Sequence, residues 1–128
     1  MTEIEFILYV KGQTASRDFY TQVLALEPHL DVPGMTEFLL SENVKLGLMP
    51  ETGIAKIISG PLPHPQTGAG IPRCELYLKV PNAAAYMQRG IDAGATEVSP
   101  LQMRNWGDQA GYIADLDGHV IAFAEAHS

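Results

Sequence analysis

A single cysteine, Cys74, cannot close an intramolecular disulfide within 128 residues. It fits a reducing compartment, and the cytoplasm is the expected location. Cations are scarce as well: eight Lys and Arg stand against fifteen Asp and Glu, a net charge of −7. Nucleic-acid binding draws most of its affinity from Lys and Arg on phosphates, and the few present here are scattered, so a nucleic-acid partner is excluded. An acidic surface favours cationic ligands over anionic ones, although solubility is its more ordinary consequence. No apolar run approaches the ~20 residues that span a bilayer, so no membrane partner is expected. The start, Met1-Thr2-Glu3-Ile4-Glu5, is acidic and passes straight into a strand pattern, where a secretory signal needs a basic start and an apolar stretch. Gly68-Ala69-Gly70 is too short for a phosphate loop and precedes no helix. No Ser and His pattern suggests a triad. What remains, 46% hydrophobic and 18% charged, is ordinary globular composition in a length that makes one domain with a real core.

Periodicity organises the chain into two similar halves. Ile4 to Val10 alternates, with Phe6, Leu8 and Val10 on one face and Glu5, Ile7 and Tyr9 on the other, the pattern of a half-buried strand. A helix follows, with Thr14 or Ser16 as N-cap and Ala15, Phe19, Val23 and Leu24 on its apolar stripe. Pro28, Pro33-Gly34 and Ser41-Glu42-Asn43 then punctuate strands at Met35 to Leu40 and Val44 to Met49. The order returns in the second half. Cys74 to Val80 alternates, Asn82 caps a helix from Ala83 to Ala93 with Ala84, Met87 and Ile91 as its stripe, and Gly94 closes it. Strands fit around Val98 to Met103, Gln109 to Ala114 and Val120 to Ala124, the last two joined by Asp117-Gly118. Leu8-Tyr9-Val10-Lys11 matches Leu76-Tyr77-Leu78-Lys79 at an offset of 68, whereas Glu5 with Glu75 and Val10 with Val80 gives 70. Both offsets are even, so either keeps the faces in phase. The expected organisation is a module of residues 1–57, a Pro- and Gly-rich linker of 58–72, and a module of 73–128.

The second half carries Asn105-Trp106-Gly107-Asp108, then Gly111-Tyr112, then Asp115-Leu116-Asp117-Gly118-His119; the first carries Ser16-Arg17-Asp18-Phe19-Tyr20-Thr21-Gln22-Val23-Leu24. With these strings the chain resembles the vicinal oxygen chelate superfamily, which includes glyoxalase I, extradiol dioxygenases and bleomycin-resistance proteins. Leu116 departs from the pattern, which usually has Pro there. The resemblance implies an α+β fold of two βαβββ modules whose curved mixed sheets enclose a shared pocket, and a homodimer. It also implies four metal-ligand positions, on the first and last strands of each module. These fall on Glu5, Gly47, Glu75 and Ala122, where metal-using relatives of the glyoxalase kind carry His and Glu. Gly47 and Ala122 have no donor atom.

Catalytic zinc takes three protein ligands and an iron oxygenase a facial triad, so no metal cofactor is expected. Glu5 and Glu75 alone would retain at most a weakly held divalent ion such as magnesium. Of the histidines, His29 follows the first helix, His64 lies in the linker, His119 in a hairpin turn and His127 near the C-terminus, all read as surface or structural. Cys74 is expected to be a buried, inert thiol on the face that packs against the helix. The ligand-binding candidates are Glu5, Ile7, Tyr9, Glu75, Tyr77 and Lys79 on the first strands of the modules, with Trp106 and Tyr112 as aromatic wall. Core packing or a dimer interface is the alternative for the aromatics; Arg104 is expected at the surface, with a pocket cation as its alternative. Glu5 and Glu75 are expected to approach each other, so that one keeps its proton to unusually high pH or a cation such as Lys79 answers the pair. Three functions follow as expectations: binding or sequestration of a small cationic or aromatic molecule without metal; a glyoxalase- or dioxygenase-type enzyme using a metal or the two carboxylates; and a ligand-free structural dimer. The missing donors favour the first and leave lactoylglutathione lyase activity unsupported.

Overall fold

In the computed structural model, which describes residues 1–126, the alternating segment at the start forms strand β1, Ile4–Val10. There follow helix α1 (Gln13–Leu24), strands β2 (Leu30–Val32), β3 (Met35–Ser41) and β4 (Val44–Pro50), and helix α2 (Glu51–Ile58). A short 3-10 turn at Pro65–Gly68 precedes β5 (Glu75–Lys79), α3 (Ala83–Asp92), β6 (Thr96–Met103), β7 (Asp108–Ala114) and β8 (Val120–Ala126). The class is α+β, with two four-stranded mixed sheets in the orders β1-β4-β3-β2 and β5-β8-β7-β6. In each sheet the first strand runs parallel to the last and the remaining neighbours are antiparallel. The chain clusters into two compact units, Met1–Thr21 with Ala25–Ala69, and Gln22–Leu24 with the residues from Gly70 on. His127 lies outside the described residues.

In the first unit the apolar face of the sheet is Leu8 and Val10 on β1, Leu46 and Leu48 on β4, and Thr36 and Phe38 on β3, all buried. Phe6 pairs with Leu46 and belongs to this face by register, yet it is exposed at the sheet edge rather than buried with Leu8 and Val10. α1 closes the core with Phe19 and Tyr20, whose rings meet edge to face at 5.0 Å; Tyr20 also lies 6.4 Å from Phe38. Gln13, the first residue of α1, ties the helix to the β2–β3 hairpin. Its side-chain amide donates to the Val32 carbonyl and to Thr36 Oγ1, and its carbonyl accepts from the Gly34 N–H. These bonds place the helix start at Gln13 with Gly12 as its N-cap. Thr14 and Ser16 therefore fall inside the helix, and neither is the expected cap. Phe19, Val23 and Leu24 are buried as expected, while Ala15 is exposed and Ser16 and Tyr20 complete the stripe instead.

In the second unit α3 packs on β6, β7 and β8, with the Tyr86 ring 5.2 Å from that of Phe123 and Met87 against Gly111. Asn82 caps it as expected, accepting from the Ala85 N–H at 3.2 Å. Glu125 adds a second acceptor for the helix start, at 2.6 Å from the Ala83 N–H. The buried stripe is Ala83, Met87 and Gly90, not Ala84, Met87 and Ile91; Ile91 is exposed. Gly90 faces Ile113 so closely that a side chain there would displace it. A stripe read only from bulky apolar residues misses this contact. Gly94 ends the helix in the left-handed region, with its N–H bonded to the Ile91 carbonyl and that of Ala95 to the Gly90 carbonyl. Those are the paired bonds of a Schellman motif.

Two further expectations are corrected. Cys74 precedes β5 and is exposed, because the strand begins one residue later than the alternation suggested. α2 was not anticipated: Gly53 interrupts its pattern, and its only buried side chain is Ile54. The segment after α2 has local structure of its own, with His64 Nδ1 accepting from the Gln66 N–H and the His64 carbonyl from the Thr67 hydroxyl.

α1 ends on Ala25, at φ 55° the one non-glycine in the left-handed region among the described residues. That conformation costs an L-residue roughly 1–2 kcal/mol, against the greater unfolded-state freedom of glycine. Ala25→Gly should therefore raise unfolding stability by up to about 1 kcal/mol, read from the midpoint of urea denaturation at unchanged slope.

Candidate functional site

Residues paired directly across a sheet share a face, so the register identifies what lies opposite the helices. In the first unit that face carries Glu5, Ile7 and Tyr9 on β1. Beside them stand Lys45, Gly47 and Met49 on β4, then Met35, Glu37 and Leu39 on β3. Gly47 is central, flanked by Ile7 on one side and Glu37 on the other. The space its side chain would fill is occupied by Glu5: a Cβ there would collide with Glu5 Oε2 and press on Ile7 and the Met35 sulfur at 3.1 and 3.3 Å. Glu5 Oε2 is buried and has no hydrogen-bond partner.

This seat changes the chemistry of the carboxyl. Burial, first, and then a hydrogen bond and repulsion from Glu37 push the pKa of Glu5 up from 4.5 to about 7; Lys45 opposes the shift and Glu3 adds to it. Lys45 cannot neutralise Glu5 alone, because its ammonium lies 3.1 Å from Glu3 and 3.8 Å from Glu37. Glu37 and Lys45 are themselves only 14% and 16% exposed in their side chains. The face thus offers a carboxyl that keeps its proton to higher pH than an ordinary glutamate, on the same face as Ile7, Tyr9, Met35 and Met49.

The corresponding face of the second unit carries Glu75, Tyr77 and Lys79 on β5. Val120, Ala122 and Ala124 follow on β8, and Asp108, Ala110, Tyr112 and Ala114 on β7. Tyr77 and Ala122 pair as Ile7 and Gly47 do. From Val10 to the start of α1, and from Val80 to the start of α3, is three residues in both cases, which selects the offset of 70 over 68. The polar content differs from the first face. Tyr77 donates to Asp108 Oδ2 at 2.6 Å, the Trp106 indole N–H donates to the Tyr77 oxygen at 2.7 Å, and the Lys79 ammonium stands 3.4 Å from Asp108 Oδ1. The Tyr77 hydrogen bond, with Lys79 beside it, holds Asp108 below the usual carboxylate range. Burial, and after it the Asp108 carboxylate, raises the Tyr77 phenol.

Among the sequence candidates, Tyr77, Lys79 and Trp106 are brought into one network, and Glu5, Ile7 and Tyr9 line one face. Tyr112 packs under the Arg104 guanidinium at 5.1 Å, while Glu75 is exposed at the start of β5. Arg104 is stitched inward, donating to Ser99 Oγ and to the Pro100 and Ala110 carbonyls, rather than free on the surface. Three residues were missed: Glu37, Lys45 and Asp108. Asp108 stood in the quoted Trp106-Gly107-Asp108 string, and closing the hairpin at Asn105–Gly107 would have placed it. Glu37 could not be placed by counting from the Glu42-Asn43 turn. A bulge between Leu39 and Ser41 shifts the register by one, bringing Glu37 opposite Gly47 instead of Leu48.

The donor set does not fit the metal that the family positions imply. Gly47 and Ala122 supply no ligand atom, and Glu5 already fills the space at Gly47. Among the described residues the one group of three donors within 4.8 Å of one another is Asp115, Asp117 and His119. It belongs to the β7–β8 turn, where Asp115 Oδ1 accepts from the Asp117 and His119 N–H groups.

Two mixed sheets, each backed by a helix and each pairing its first strand in parallel with its last, define a class. The family model of the Glyoxalase/Bleomycin resistance protein/Dioxygenase superfamily matches residues 4–123, and the chain belongs to that superfamily. The protein Mb0911c of Mycobacterium bovis is 29% identical over 115 residues, 88% of this chain and 75% of that protein. A glyoxalase-related enzyme from Fulvimarina pelagi shares the fold at a TM-score of 0.81 and 19% identity, over 98% of this chain and 87% of that one. A glyoxalase/bleomycin resistance protein/dioxygenase family enzyme from Burkholderia phytofirmans PsJN does so at 0.80 and 14%, over 96% and 97%. No helix among the described residues is long and apolar enough to cross a membrane.

Two outcomes follow from the seat of Glu5. Its folded pKa of about 7 lies above the 4.5 of the free side chain. Below the lower value both states hold the proton. Between the two, folding takes one up, so stability falls as pH rises through the window and levels off above it, by about 3 kcal/mol. Glu5→Gln should flatten this dependence, as urea unfolding across that range would read. Gly47→Ala should evict the carboxyl into water and bring its pKa back toward the ordinary glutamate value, read by carboxyl NMR titration.

Proposed function

We propose that this protein binds and sequesters a small cationic or aromatic molecule on a sheet face opposite its crossover helix, without a transition metal. The observation that carries this reading is Gly47: the position that would supply a metal ligand has no side chain, and Glu5, the neighbouring candidate, rests in that space as a proton-holding acid. Such a carboxyl contributes a hydrogen bond to a ligand at neutral pH, or a charge if an amine displaces its proton. The apolar residues around it, Ile7 and Met35 foremost, supply contact area. A cytoplasmic location and a homodimer belong to the same proposal, the latter on the family likeness.

The test is elemental analysis of protein purified without added metal. The expected content is far below one zinc, nickel or iron per chain, and a stabilising ligand should raise the melting temperature equally with and without chelator. About one transition metal per chain, lost in Glu5→Ala, would overturn the reading. Light scattering at micromolar concentration should return a mass above the 13.9 kDa of one chain.

A second reading rests on the same residue. A carboxyl titrating near 7 is suited to general acid–base work. In that case the ligand would be turned over, with a rate that changes through pH 7 and is lost in Glu5→Gln.

A further inference from the structure

Trp106 combines two properties that seldom go together, exposure and immobility. It lies in the Asn105–Gly107 loop between β6 and β7. The loop is closed by the Arg104 N–H on the Asp108 carbonyl at 2.8 Å and the Gly107 N–H on the Arg104 carbonyl at 3.2 Å. Gly107, at φ 100°, takes the left-handed position that a three-residue hairpin loop requires. Arg104 fastens the base of the loop through three hydrogen bonds of 2.9–3.0 Å to Ser99, Pro100 and Ala110. The indole is then fixed from its own side. Its N–H donates to the Tyr77 oxygen at 2.7 Å, and Tyr77 donates to Asp108, which is only 8% exposed. The Tyr77 and Trp106 rings lie 6.4 Å apart at 59°. Despite these restraints Trp106 is 54% exposed.

Fixing an exposed side chain loses rotamer entropy, and an indole serving as core would be covered. A ring held in advance lowers the ordering cost of whatever stacks on it. The polar neighbours narrow the ligand. Tyr77 and Asp108 satisfy each other and act on the indole as positioning residues. Arg104 is committed to its own hairpin. Lys79 remains, 60% exposed in its side chain, with one of its three N–H donors answered by Asp108 at 3.4 Å.

We propose that Trp106, with Lys79 joined to it through Tyr77 and Asp108, is a preformed stacking site for a planar aromatic ring bearing a carboxylate or carbonyl acceptor. The proposal rests on the reading of the chain as a ligand-binding protein and adds the chemical class of ligand. It uses residues of the second unit only, so it is separable from the role given to Glu5.

Trp106 is the only tryptophan of the chain, so its fluorescence reports on this site alone. Titration with 1-naphthoate should quench it saturably, whereas cyclohexanecarboxylate, which carries the acceptor without the ring, should bind about tenfold more weakly. Trp106→Leu should weaken 1-naphthoate about tenfold or more by calorimetry, with Trp106→Tyr recovering part of the loss. Lys79→Gln should weaken 1-naphthoate and spare 1-naphthylmethylamine. Tyr77→Phe should leave the ring in place but speed its fluorescence anisotropy decay, as release of the indole requires. Absence of saturable binding, or Trp106→Leu binding 1-naphthoate as tightly as the parent, overturns the proposal. So does a shift of Trp106 emission on dilution without ligand, which would assign the ring to contact with a second copy. Binding that survives Trp106→Leu but is lost in Glu5→Gln overturns the stacking site and leaves the binding-protein reading standing. The reverse pattern supports the stacking site on its own.

Discussion

The parallel pairing of each unit's first strand with its last is the constraint from which the remaining features follow. Two strands can run parallel only if the chain between them crosses over, and a helix is the usual way to cross. In the first unit α1 lies in that crossover and in the second α3, each on one face of its sheet. The other face is the one that neither crossover helix packs against. Glu5, Ile7 and Tyr9, and likewise Glu75, Tyr77 and Lys79, are aligned with the last strand's Gly47 or Ala122 by this pairing alone. A helix on both faces would have converted these positions into core.

The two faces share a topology and differ in how they handle polar groups. In the first unit a missing side chain makes the room: Gly47 lets the Glu5 carboxyl settle where few partners reach it, and desolvation rather than a specific charge dominates its behaviour. In the second, Ala122 and Ala124 pair with Tyr77 and Lys79, and every polar atom of the Trp106, Tyr77 and Asp108 chain is answered by another. One face stores an unsatisfied group, and the other fixes an aromatic ring.

Much of the fold was legible because its signals are local. The alternation of Ile4–Val10, the Asn82 cap and the Gly94 stop each depend on residues within a turn or two of themselves. What failed did so for want of partners. The α3 stripe was misplaced because Gly90 is buried by what Ile113 needs, not by its own hydrophobicity. The start of α1 was misplaced because Gln13 is drawn to the Val32–Gly34 backbone, a partner some twenty positions away. Cys74 changed from core to surface through a single residue at a strand end.

Taken alone, the chain determined its class, its two-module repeat and the absence of donor atoms at positions 47 and 122, since these are properties of residue identity and spacing. Tertiary structure alone decided which carboxyl answers Glu5. Nothing local marks the bulge between Leu39 and Ser41, yet it moves Glu37 from the register of Leu48 to that of Gly47, and with it to the opposite face. A side-chain period of two makes any one-residue shift a change of face, so the composition of a site built across strands depends on pairings that only the folded sheet establishes.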